Sequence, residues 1–369
     1  MRKLFILGGS ALQLDLILEA KKLFFYVIVL DMDETCIGKN WCDEFLHIDI
    51  CDKEAVLKKA IEYKIDAILT SATELGNITA CYVGEKLELN TNSYECALNT
   101  TNKMKMKEIL KKHNIKTANY KYFEKEDLID WKNFPCIVKP VDSSGGRGVY
   151  FCQNEEELAN NYLKTLCFSR SKKVLVEEYI KGEQFSCETI SVNGKHQLIT
   201  ITKEYIRDIP NIVETHQQIP ANITEELNNK IEKLVDKILE IFEIKFGAGH
   251  IEIRIDDNEN IYVVELASRI GGWRTEMLNL AYGISFSQLL LFSSLGVFRQ
   301  LNHNRPIYNA IVKIILSFKD YEEYLNLKQN YPNKIFEPRV IKEVEEQFLA
   351  YNLVEAKGYY FILEEVKRD

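Results

Sequence analysis

Short apolar runs and amphipathic stretches alternate from the first residues onward. Lys3 to Leu7 reads as a strand, Gly8-Gly9-Ser10 as a turn, Leu12 to Leu23 as a helix, and Tyr26 to Leu30, ending at Asp31, as a second strand. Together they predict a parallel βαβ unit. The pattern continues with a strand at Phe45 to Ile48, a helix at Lys53 to Tyr63, a strand at Ala67 to Thr70 and a helix at Leu75 to Leu87, so the opening stretch predicts a small doubly wound α/β layer. The character changes after a helix over Lys103 to His113. Cys136 to Lys139 and Val149 to Cys152 are strand-like and bracket a Gly-rich loop, Asp142 to Gly148, which predicts a hairpin lid. Lys173 to Tyr179 and Phe185 to Val192 read as antiparallel strands around Lys181-Gly182, and Glu225 to Ile241 as a long amphipathic helix. A helix over Phe286 to Leu295 precedes a tail with strands at Tyr308 to Leu316 and Gly358 to Leu363, expected to form a small closing subdomain.

At 369 residues the chain exceeds the size at which one hydrophobic core usually stops growing, so two or three packed units are expected. The net charge is -8, and the one dense lysine cluster, Lys103 to Lys112, is interrupted by apolar residues at helical spacing. That makes it a solvated helix face rather than a nucleic-acid surface. The nine cysteines form no C-x-x-C pair and fit free thiols in a reducing cytoplasm. The apolar run at Leu4 to Leu7 stops at Gly8, too short for a signal-peptide core, and the longest later one, Ile284 to Phe298, is broken by Ser and Gly. A cytoplasmic protein with neither nucleic-acid nor membrane partners is therefore expected.

The segment from His250 to Arg269 carries the most chemistry. It reads as two strands joined by a polar turn, with residues 250, 252 and 254 polar and 251, 253 and 255 isoleucine, so the polar set shares one face. A loop at Asp257 to Asn260 pairs Asp256 with Ile261 and sets Glu252 opposite Glu265, about 5 Å apart at Cβ. Like charges that close require compensation, and Mg²⁺ is the usual agent beside phosphate. The alternative is two glutamates splayed to solvent. Arg269 falls on the face of Glu265 and is suited to neutralising a transferred phosphoryl group. The loop Ser143-Ser-Gly-Gly-Arg-Gly148 lacks the Gly-Lys-Ser/Thr ending of a P-loop, although its glycines let backbone N–H groups approach phosphate, with Lys139 as a nearby fixed charge. Gly8-Gly9 with Asp31 is a weak dinucleotide signal, because G-x-G-x-x-G is absent.

In order and spacing these features resemble the ATP-grasp superfamily, in the branch of biotin carboxylase, carbamoyl phosphate synthetase and the bacterial L-amino-acid ligases. The resemblance rests on Asn102-Lys103, Val138-Lys139-Pro140 before Ser143 to Gly148, Val176-Glu-Glu-Tyr-Ile-Lys-Gly-Glu183, His250-Ile-Glu252 and Glu265-Leu-Ala-Ser-Arg269. It implies an α/β and α+β fold: a pre-ATP-grasp doubly wound α/β domain over 1–95, a two-lobed ATP-grasp domain over 96–300 with a lid at about 115–185, and a small C-terminal subdomain over 301–369. It also implies that Lys103, Lys139, Ser144, Gly145, Gly146 and Gly148 meet the phosphates of ATP. Glu177, with the backbone of Glu178, Tyr179 and Ile180, would hold adenine, and Glu183 the ribose hydroxyls. Glu252 and Glu265 would bind Mg²⁺, with Mn²⁺ as the alternative, and Lys139 and Arg269 would act in catalysis. The family usually has Asn where this chain has Ala267, which puts the metal stoichiometry in question.

Val213 to His216 resembles the acceptor-side segment of amino-acid ligases, so His216 and His250 are substrate-site candidates; a hydrogen-bonded structural histidine is the alternative for each. Arg274 and Lys203 are further candidates, with a surface arginine the other reading of Arg274. Trp273 suggests a reshaped pocket. The activity implied is ligation of a small-molecule carboxylate to an amine through an acyl phosphate, by an enzyme whose relatives are often homodimers. A kinase or carboxylase-like enzyme of the same fold, or a non-catalytic nucleotide-binding protein, is the alternative.

Overall fold

The computed structural model describes residues 1–125, 127–143, 145–207, 212–301, 305–340 and 343–366. The N-terminal layer contains β1 (Lys3–Leu7), α1 (Ala11–Lys22), β2 (Tyr26–Asp31), β3 (Glu44–His47), α2 (Lys53–Tyr63), β4 (Ala67–Leu69) and α3 (Glu74–Lys86). Its strands form a parallel sheet in the order β3-β2-β1-β4. Because side chains alternate along β1, Leu4 and Ile6 pack toward α1 while Phe5 and Leu7 pack toward α2 and α3. At the end of β2, Asp31 accepts hydrogen bonds from the N–H groups of Gly9 (2.6 Å) and Asp33 (2.9 Å). This strand-end acid closes the glycine turn.

Helices α4 (Tyr94–Thr101) and α5 (Lys103–Lys112) lead out of this layer. Asn102 caps α5, accepting from the N–H groups of Met104 and Lys105, which fixes where Lys103 begins the helix. A second sheet follows, built from β5 (Tyr120–Glu124), β6 (Cys136–Pro140), β7 (Tyr150–Cys152) and β8 (Lys173–Glu178), with α6 (Glu155–Phe168) against one face. Its order is β5-β8-β6-β7, and β6 and β7 form the expected hairpin around the Gly-rich loop. Cys136, Val138, Val174 and Val176 pack on α6, and the alternate residues Ile137, Lys139 and Glu177 take the opposite face.

The third sheet comprises β9 (Glu183–Val192), β10 (Lys195–Arg207), β11 (Val213–Ile219), β12 (Gly247–Ile255), β13 (Ile261–Ala267), β14 (Tyr308–Ile314), β15 (Ile335–Val340) and β16 (Gly358–Glu365). Helices α7 (Glu225–Ile241), α8 (Arg274–Tyr282), α9 (Phe286–Ser294) and α10 (Phe318–Asn330) complete the described secondary structure apart from short 3₁₀ turns. The strand order is β13-β12-β9-β10-β11-β14-β16-β15. Phe185, Cys187, Ile251, Ile253 and Ile255 bury one face of this sheet under α7, and α9 shares a core with the N-terminal layer.

One expectation differs from this arrangement. Strands β8 and β9 do not pair around Lys181-Gly182; β8 lies between β5 and β6, and β9 lies between β12 and β10. The chain crosses from one sheet to the other at Gly182, where φ is 153° and an added Cβ would fall 2.1 Å from the carbonyl oxygen of Ile255. Only glycine fits there. The tail beyond residue 301 adds β14, β16 and β15 to the edge of the third sheet. Among the described residues no helix is long and apolar enough to cross a membrane, and all nine cysteines are free.

Candidate active site

The polar faces of the second and third sheets enclose a cavity of about 710 Å³, closed on a third side by Ala72 and Glu74 of the N-terminal layer. This volume suits a cofactor or nucleotide-sized ligand. At one end Lys103 Nζ donates to Ser143 O at 3.0 Å and to Glu265 Oε1 at 2.9 Å. Lys139 projects from β6 and pairs with Glu177 Oε1 at 2.5 Å, while Lys107 Nζ pairs with Glu177 Oε2 at 2.7 Å. Burial opposes ionisation of Glu177, yet Lys107 and Lys139 outweigh it and hold its carboxyl down at about 2. Gly145 and Gly146, both at positive φ, line the cavity. Gly148 backs onto Phe168 instead, and Ser144 lies outside the described residues. Lys107 was missed in the sequence, although it stands one helical turn after Lys103 and so shares its face.

The opposed pair of acids is present, by a different route from the one expected. Ile255 pairs with Ile261, a turn register that is one residue off, and a bulge after Glu252 restores Glu252 opposite Glu265. Lys103 holds Glu265. His250 Nε2 lies 3.4 Å from Glu252 Oε1, and its Nδ1 lies 2.7 Å from Glu188 Oε1. Burial disfavours an imidazolium here, but Glu188 and then Glu252 raise the His250 pKa to about 10. Among the described residues no cluster of three or more metal-ligating side chains occurs, and Ala267 offers no donor. Two facing carboxylates are nonetheless the oxygen donor set that suits a hard divalent cation whose remaining ligands come from phosphate and water. Arg269 faces the same cavity and donates from Nε (2.9 Å) and Nη2 (2.5 Å) to Glu74 Oε1.

The far side of the cavity is acidic. Arg274 is 1% exposed, which rules out the surface reading. Its Nε donates to Glu188 Oε1 (2.9 Å), Nη2 to Ser186 Oγ (2.8 Å) and Glu204 Oε1 (2.6 Å), and Nη1 to Gly272 O (3.0 Å) and Gln217 Oε1. A guanidinium has five N–H donors, so this set already has an acceptor for each. Arg274 organises the glutamates. Burial, and then Glu204 and Glu252, push the Glu214 carboxyl up to about 8, and burial raises Glu204 as well. Trp273, at φ 59°, lines the cavity with its ring 5.6 Å from that of Tyr359.

Three expected site residues point elsewhere. Glu183 and Lys203 pair with each other away from the cavity, and Lys203 sits 4.3 Å over the Phe185 ring. Their chain neighbours Gln184 and Glu204 line it instead and are bonded at 2.9 Å. His216 stacks on Tyr205 with ring centroids 3.9 Å apart, and burial and then Lys313 lower its pKa to about 4; Glu214 and Gln217 of the same strand face the cavity. The two-residue period of a strand decides the first two cases, and at His216 a bulge at Thr215 puts both Glu214 and Gln217 on the cavity side. That signal was available in β9, where Gln184, Ser186 and Glu188 alternate with Phe185 and Cys187. Tyr179 and Ile180 border the other end, where the Glu178 N–H donates to Asn119 O and the Tyr179 N–H to Pro135 O.

Residues 132–277 match the model of the ATP-grasp domain. A formate-dependent phosphoribosylglycinamide formyltransferase from Prochlorococcus marinus subsp. pastoris is 28% identical over 256 residues, 64% of this chain and 63% of that protein. An L-arginine-specific L-amino acid ligase from Bacillus subtilis is 24% identical over 276 residues, 71% of this chain and 66% of that protein. The matched region thus spans slightly under two thirds of the length of each relative. The crystal structure of N5-carboxyaminoimidazole synthetase from Staphylococcus aureus complexed with ADP superposes with a TM-score of 0.77 at 20% identity, covering 98% of this chain and 93% of that one. Residues 132–277 thus match an ATP-grasp domain, and the chain as a whole has the fold of the ATP-grasp structure it superposes on.

Proposed function

We propose that the protein is an ATP-dependent carboxylate–amine ligase that works through an acyl phosphate and releases ADP and phosphate. One observation carries the reading: the facing Glu252 and Glu265, with Lys103 paired to Glu265, share a single cavity with Lys139, the buried Glu204 and the half-buried Glu214. A phosphoryl-transfer end and an ammonium-accepting end are therefore adjacent.

In this reading Lys103, Lys139 and the backbone of Gly145 and Gly146 hold the phosphates, and the segment Glu178 to Ile180 borders adenine. Glu252 and Glu265 hold Mg²⁺, with Mn²⁺ as the alternative, which when bound neutralises phosphate charge. An oxygen of the acid attacks the γ-phosphorus, the bond to the β–γ bridging oxygen breaks, and ADP leaves, with Lys139 stabilising the charge on the transferred group. The amine nitrogen then attacks the acyl carbon and phosphate departs. Glu214 in its ionised form, populated as pH approaches 8, takes the proton from the nitrogen, and Arg269, steadied by Glu74, faces the oxyanion.

The test is ADP and phosphate release from Mg-ATP across a matrix of carboxylic acids and amines, run beside Glu265→Ala. Release that requires both partners and falls about 10²- to 10³-fold in the variant supports the ligase. Release with the acid alone supports a kinase, and none with any pair supports a non-catalytic nucleotide-binding protein.

A further inference from the structure

We infer that Arg254 is a nucleotide-binding residue whose guanidinium donates to the ribose hydroxyls of ATP and makes the site selective for ribonucleotides. The inference rests on the nucleotide part of the function proposed above.

Arg254 stands on β12 two residues beyond Glu252 and on the same face, about 7 Å further toward the turn at the usual strand rise. Gln184 of β9 and Tyr262 of β13 are its partners in register, and all three line the cavity. The Arg254 guanidinium lies 4.7 Å from the centroid of the Tyr179 ring. It therefore sits between the carboxylate pair that marks the phosphate end and the Glu178 to Ile180 segment that marks the base end. In ATP the ribose occupies that interval.

The hydrogen bonding around Arg254 is incomplete. The residue is 8% exposed, Nη2 reaches only Tyr179 Oη and Gly182 O, each at 3.3 Å, and the buried Nε has no partner. Among the described residues it forms no ion pair, whereas Lys103, Lys107, Lys139, Arg269 and Arg274 each have a carboxylate. A buried guanidinium with an unused donor and no counter-charge is costly unless an acceptor arrives from outside the chain. The ribose hydroxyls, acceptors at that depth, complete it. Glu183, the acid expected in that role, is turned away toward Lys203.

The experiment is calorimetric titration of ADP, 2′-deoxyADP and 3′-deoxyADP, with Mg²⁺, into the full chain and into Arg254→Met and Arg254→Lys. The full chain is expected to bind ADP about tenfold or more tighter than at least one deoxy analogue, the scale of one charge-assisted hydrogen bond. Both variants are expected to bind ADP about tenfold more weakly and to discriminate by less than about twofold. The lysine variant retains the buried charge and serves if the methionine variant does not fold. Full discrimination in a folded variant, or equal weakening of all three nucleotides, overturns the assignment. ADP that does not bind the unaltered chain overturns the nucleotide reading itself.

Discussion

Lys107 Nζ lies 2.7 Å from Glu177 Oε2, behind the lysine that faces the cavity. Glu177 is in turn the partner of Lys139, so the position of Lys139 depends on a residue of another element. Lys107→Met removes half of a buried pair and is expected to destabilise the chain by about 3 kcal/mol in urea denaturation. It is also expected to raise the KM for ATP more than it lowers kcat. The Glu177 carboxyl, at about 2 against an ordinary 4.5, contributes stability that is complete above pH 4.5 and lost as pH falls toward 2. In Lys107→Met the folded-state carboxyl titrates higher, so that loss is smaller and complete at a higher pH, and an unchanged acid limb would separate Glu177 from Lys107.

Glu214 has the opposite sign. Its carboxyl is held at about 8 in the folded chain, so between pH 4.5 and 8 the folded state binds a proton that the unfolded state has released. Stability from this group therefore falls as pH rises through that window. Glu214→Gln keeps the bulk and removes the titration. Thermal unfolding from pH 5 to 9 should show a smaller decline for the variant than for the unaltered chain.

Arg274→Lys preserves charge but replaces a five-donor planar group with three donors on a point charge. Glu188, Glu204 and Gln217 cannot all be satisfied by it, and a loss of about 2 to 3 kcal/mol is expected in chemical denaturation. A surface arginine would lose less than about 0.5 kcal/mol on the same change.

Gly182→Ala places a Cβ against the Ile255 carbonyl at a φ that L-residues rarely adopt. A loss of at least about 2 kcal/mol is expected. Amide hydrogen exchange should locate the resulting disorder at the crossing between the second and third sheets, with the N-terminal layer unaffected.

Much of this molecule was legible in the sequence because its information is local. The helices over 53–63 and 225–241 follow from apolar periodicity alone, and the βαβ opening from apolar runs separated by a glycine turn. The pair Glu252 and Glu265 was recoverable because a hairpin sets its own register, even though a bulge corrected a one-residue error in the turn. Glu183 and Lys203 were chosen by chemistry, whereas a strand presents alternate residues to opposite faces, and their neighbours Gln184 and Glu204 reached the cavity; at His216 a bulge at Thr215, which no local pattern announces, turned Glu214 and Gln217 inward instead.

The sequence by itself determined the elements, the Gly-rich loop and the opposed acids, since each depends on residues close together in the chain. Only the tertiary structure decided which cations those acids meet. Lys103 joins Glu265 across 162 residues, Arg269 joins Glu74 across 195, and Arg274 reaches Glu188 and Glu204 from a separate helix. Pairing between buried charges is set by how sheets pack and which face each strand turns inward, and no local pattern encodes either.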